Sequence, residues 1–142
     1  MKAWLFLILL SVTTSVNSAT LSTPDEAKSF SFKVMNLFLN EKFDEGLNIS
    51  KTYWPLPPVE IDSLANTIKQ QWPIVKQRFG KSTGVELVKK EKIGKSFIKF
   101  YFLHKFENHA LYWTFSFYKP KKTWKINSIT YKDDLEILFT KY

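Results

Sequence analysis

The chain has no cysteine, so disulfides, thiolate metal sites and cysteine nucleophiles are all excluded. At 142 residues it needs no such staple, because a domain of this size buries enough apolar surface to fold unaided. Glycine is scarce, with four residues, and no glycine-rich loop exists to cradle a phosphate. Arginine is scarcer still: Arg78 stands alone. Forked, two-point recognition of phosphate or carboxylate therefore has at most one candidate. Only His104 and His109 supply imidazole. Together with Glu107 they fall across a strand end with no recognised ligand spacing, so no metal site is expected. No serine lies in a motif that would activate it, and nothing in the chain requires a cofactor.

What the chain has is lysine and aromatics. Lysine and arginine number 21 against 13 acids, a formal charge of +8. Phenylalanine, tyrosine and tryptophan make up 17% of the residues. Lysines act as mobile point charges, so the excess suits solubility or loose attraction to anionic surfaces better than a specific anion pocket.

The first residues read as a secretory leader. Met1-Lys2 is the positive start, Ala3 to Val12 is an apolar run, and Ser15 to Ala19 is small and polar. The apolar run is shorter than the roughly 20 residues a spanning helix needs. Cleavage after Ser18 or Ala19 is expected, with residues 20–142 forming one domain and no stable membrane anchor. A cysteine-free exported domain suits a bacterial periplasm or secretion into the medium.

After the leader, Thr23-Pro24-Asp25-Glu26 predicts a capped helix start. Ala27, Phe30, Val34, Leu37 and Phe38 then recur at helical spacing to about Asn40. A short second helix is expected from Asp44, carrying Leu47 and Ile49. The prolines of Trp54 to Pro58 make a rigid connector. A third helix is expected from about Glu60, lined by Ile61, Leu64, Ala65, Ile68, Trp72, Val75 and Phe79. Pro73 is expected to kink or divide it near Gln71.

From Val85 the period becomes two, with Val85, Leu87, Lys89 and Glu91 predicted on one face. Strands follow over Phe97–Glu107, Leu111–Tyr118 and Trp124–Tyr131, separated by short polar turns. Asp133-Asp134 is expected to cap a terminal segment docked by Leu135, Leu138 and Phe139. Helices first and antiparallel strands second is an α+β pattern: N-terminal helices packed on a curved four-stranded antiparallel sheet.

This order resembles the nuclear-transport-factor-two-like superfamily, the cystatin-like α+β cone. The resemblance rests on the first amphipathic helix, the break at Phe43-Asp44-Glu45-Gly46-Leu47, the long meander and the Trp124 to Ser128 run. More narrowly, Trp54 to Pro57, Arg78 to Ser82 and Lys105 to Leu111 resemble exported bacterial proteins of that superfamily to which no chemistry is attached. The resemblance implies a cone-like roll, with any ligand inside it and dimerisation on the outer sheet face.

Strand parity then sorts the candidates. Trp54, Trp72, Phe100, Phe102, Trp113 and Phe115 would line a cone able to hold an apolar small molecule or lipid tail, or would simply fill it. Phe97, Tyr101, Leu103, Tyr112 and Tyr118 share the outer face and are the candidate homodimer interface, since large exposed aromatic patches are rare on monomers. His104 is the one titratable inner residue. It is the candidate general base of an alternative isomerase- or dehydratase-like activity. Nucleic acid is not an expected partner, given export and the near-absence of arginine, although Lys89, Lys90, Lys92, Lys95 and Lys99 with Tyr101 superficially fit one. The sequence therefore reads as an exported, non-enzymatic binding or assembly domain.

Overall fold

The computed structural model describes residues 19–139. Residues 1–18 of the expected leader lie outside the described residues. Three helices, α1 (Pro24–Leu39), α2 (Phe43–Ser50) and α3 (Pro58–Phe79), pack against a four-stranded antiparallel sheet. Its strands are β1 (Ser82–Ile93), β2 (Phe97–Phe106), β3 (Ala110–Tyr118) and β4 (Lys125–Lys132), ordered β1-β2-β3-β4. The α+β expectation is met.

Helix α1 starts as its residues dictate. The Glu26 N–H donates to Thr23 Oγ1 at 3.1 Å, and Pro24 occupies the first turn. Its stripe of Ala27, Phe30, Val34, Met35 and Phe38 is buried. Helix α2 crosses it closely at Gly46, where a Cβ would meet Phe38 Cε1 at 2.6 Å. Helix α3 is not divided near Gln71: it runs on through Pro73 as one element of 22 residues. Proline removes one N–H donor. Trp72 beside it is buried in the core while Pro73 is exposed, so packing of the buried face holds the helix through the missing bond.

The inner faces of β2 and β3 pair in the expected register, with Phe100 opposite Phe115, Phe102 opposite Trp113 and His104 opposite Leu111. The bulky residues of this face interleave with the helices. Phe38 lies 4.7 Å from the Trp113 ring, and Phe32 meets Phe102 edge-on at 4.9 Å.

Strand β1 corrects the parity reading. Leu87 pairs with Phe102 but Lys89 pairs with Tyr101, so Val88 is an extra residue, a β-bulge. A bulge reverses which face later residues take. Val85 and Leu87 stay inside, and Lys89 and Glu91 move to the outer face. The terminal segment is a second correction. A 3-10 turn, η1 (Glu136–Leu138), follows β4, with the Glu136 N–H donating to Asp134 Oδ1 at 3.1 Å. Leu135 and Leu138 are half-buried, but Phe139 is 70% exposed and docks nowhere. The backbone leaves the 3-10 turn for an extended conformation at this residue.

Candidate functional site

The residues proposed to line the cone are brought together, and they fill it. Phe100, Phe102, Trp113 and Phe115 have no exposed surface, and Trp72 and Trp54 are buried beside them. Phe43 joins Trp72 to Trp113 through ring contacts of 4.7 and 6.5 Å. Phe102 and Phe115 meet edge-on at 5.6 Å. Interiors pack to near-crystalline density, and interlocked rings of this kind leave their neighbours no room for a ligand. The Trp72 indole N–H is buried without a partner among the described residues.

His104 is fully buried within this packing. Both of its nitrogens are engaged. The Trp113 Nε1–H donates to Nδ1 at 3.3 Å, and Nε2 lies 2.8 Å from Ser82 Oγ. Since Nδ1 accepts, the neutral ring carries its proton on Nε2 and donates to Ser82. The ring stacks on Phe106 at 4.5 Å. Burial pushes its pKa down to about 4. Among the described residues, no carboxylate contributes to that shift. A base needs a free lone pair within reach of substrate, and here that lone pair is held by an indole.

A groove of about 330 Å3 opens nearby, between the end of α3 and the end of β4. Its lining combines apolar Ile74, Val75, Phe79 and Leu111 with charged Arg78, Lys132, Asp133 and Asp134. Arg78 Nη1 stands 4.0 Å from Asp133 Oδ2, and the His109 ring lies against Phe79 at 4.6 Å. Tyr131, also in the lining, hydrogen-bonds Gln71 of α3. Sequence reasoning missed this groove. The lone arginine and the paired acids were its only signals, and they lie 55 residues apart in sequence, joined only by the fold.

On the outer face, register does align the proposed interface residues. Phe97 lies opposite Tyr118 and Leu103 opposite Tyr112. Their exposure differs from a bare aromatic patch. Tyr101 and Tyr112 are each only 4% exposed. Lys89, brought across by the bulge, lies 5.3 Å over the Tyr101 ring and donates to the Ile137 carbonyl at 3.3 Å, drawing η1 against this face. Burial and a hydrogen bond to Glu91 push the Tyr101 phenol well above its usual range. That bond, with Lys89 and Lys99 nearby, holds the Glu91 carboxyl low. Burial, with Asp134 adding to it, also raises Tyr112. Phe97 and Leu103 remain half-buried and Tyr118 is 40% exposed.

Among the described residues, no group of three His, Asp or Glu side chains is placed to hold a metal ion. No helix among them is long and apolar enough to cross a membrane. No family model matches the chain, and neither a curated protein nor a solved structure matches it.

Proposed function

We propose that this chain is an exported, non-enzymatic binding domain of the nuclear-transport-factor-two-like kind, and that it works through its surface rather than through a ligand in its cone. One observation carries the reading: the interior is occupied by its own side chains. Phe100, Phe102, Trp113 and Phe115 have no exposed surface, and the one imidazole among them has both nitrogens bonded to protein. An isomerase or dehydratase on His104 would need a substrate to displace that packing. Three helices followed by a four-stranded meander support the superfamily likeness.

Titration with an apolar fluorescent reporter tests the closed interior. The expected result is no saturable, one-to-one enhancement; stoichiometric uptake would sink the reading. Export has its own test. The intact mass of the chain recovered from the periplasm or medium should begin at Ala19 or Thr20, and a mass retaining Met1 would refute it.

Self-association across the outer face is the second reading, supported by the Phe97–Tyr118 stack at 4.8 Å and the 40% exposure of Tyr118. With Tyr101 and Tyr112 covered, it rests on a smaller patch than parity implies. Light scattering tests it. A dimer that Tyr118→Ser dissociates supports it, and a strict monomer at micromolar concentration removes it.

A further inference from the structure

Two turns meet at one end of the sheet. The β1–β2 turn holds Gly94, Lys95 and Ser96, and the β3–β4 turn runs from Lys119 to Trp124. The Lys119 N–H donates to the Ser96 carbonyl at 2.8 Å, and Phe97 stacks on Tyr118 at 4.8 Å. The turns therefore form a single tip.

This tip is strongly cationic. Lys92 precedes the first turn and Lys95 lies in it, and Lys119, Lys121, Lys122 and Lys125 crowd the second. Among the described residues, none of these has a carboxylate within 4.0 Å. Several cations elsewhere are partnered, among them Lys69 with Asp44, Lys76 with Glu41 and Arg78 with Asp133. The acid nearest along β1, Glu91, is committed to Tyr101 and Lys89. The Leu21–Trp124 bridge brings the start of α1 to this end. Its acids are also engaged, Asp25 with Lys28 and Glu26 with the Ser22 N–H.

Apolar groups stand among the lysines. Ile93 is 75% exposed, and the Phe97–Tyr118 pair presents the 40% exposed tyrosine beside it. A cluster of ammonium groups around a protruding aliphatic side chain and an amphipathic tyrosine matches an anionic lipid surface. Headgroup phosphates meet the lysines, and the apolar groups enter the interfacial layer. Such a surface presents smeared charge, which point-like lysines suit and arginine forks are not needed to read. A second copy would bring like charges together at this end. A single nucleic-acid strand would want open ring faces, whereas these two rings stack on each other.

We propose that this lysine-rich tip docks the protein peripherally on anionic lipid, with Ile93 and Tyr118 at the interface. The proposal deepens the surface-binding reading by naming the partner of that surface. A failure of the closed interior shows as uptake of an apolar reporter; a failure here shows in vesicle sedimentation.

The test sediments the full chain, purified as the cell processes it, with vesicles. Phosphatidylcholine carrying phosphatidylglycerol is compared with phosphatidylcholine alone. The chain should bind the anionic vesicles, release as salt rises and leave neutral vesicles unbound. Each lysine near such a surface strengthens partitioning roughly fivefold, so K121E/K122E should weaken it more than about tenfold. Ile93→Ser should weaken it severalfold while leaving its salt dependence in place. K42E/K81E makes the same charge change at the opposite end of the molecule and should leave binding within about twofold. All four positions are exposed, and circular dichroism confirms that the variants fold. Equal binding to neutral vesicles would overturn the proposal. So would equal losses in the two charge variants, which would reduce the effect to net charge. Binding of a single-stranded oligonucleotide or self-pairing without vesicle binding would overturn it as well.

Discussion

At the scale of single residues, His104 decides the chemistry. Its ring is neutral because protonation would put a charge in an apolar core and break the bond from Trp113. The unfolded chain has no such restraint and takes up a proton near the ordinary value of 6.5, against about 4 in the folded protein. The unfolded state therefore binds more protons between these values, so stability rises with pH there. His104 contributes fully above the unfolded value, and its contribution is lost as pH falls toward the folded one. The loss is on the order of 3 kcal/mol. Urea unfolding at neutral pH and near pH 4.5 should show it, and His104→Gln should flatten the difference. An unchanged slope in the variant would mean that the imidazole is not the group held neutral. His104→Ala at neutral pH should cost about 3 kcal/mol, since it removes a packed ring and strands the Trp113 N–H. The burial of His104 was legible from strand alternation. Its partners were less so: Ser82 lies 22 residues away, and its bond depends on how β1 enters the sheet.

At the scale of elements, small residues and irregularities set how helices and strands meet. Gly46 lets α2 lie against Phe38, whose ring is trapped by Phe43 and Trp113. Gly46→Ala gains about 1 kcal/mol of helix propensity, but its Cβ enters a space already filled. The net expected outcome is a loss of about 1–2 kcal/mol in urea unfolding. A stabilised variant would show that the crossing has slack. Pro73 gives the reverse case. Pro73→Ala should restore a donor to the Lys69 carbonyl and raise the urea midpoint, by up to about 2 kcal/mol once the proline's restriction of the unfolded chain is offset. The α+β order, the cap at Thr23 and the pairing of β2 with β3 all follow from local residue patterns. The bulge at Val88 does not. A Val-Lys-Lys-Glu run alternates equally well with or without an extra residue, and pairing with Phe102 and Tyr101 settles it.

At the scale of the whole molecule, the two faces of the sheet have separate fates. The inner face is consumed by the helices. Part of the outer face is covered by the returning chain end, anchored by Lys89 on the Ile137 carbonyl. No sequence periodicity announces that return, because it depends on where a short turn lands after β4. The surface left open is uneven: a small groove beside Arg78, and a lysine-rich tip from which Ile93 protrudes. The proposed binding surface is therefore sought on the outside of the molecule. Native mass spectrometry of the chain, purified gently from its own source, tests this most directly. The account predicts the bare mass of the processed chain, with no apolar molecule retained. A stoichiometric lipid or other apolar adduct that survives transfer, and that enlarging a core residue such as Ala65→Leu displaces, would contradict it.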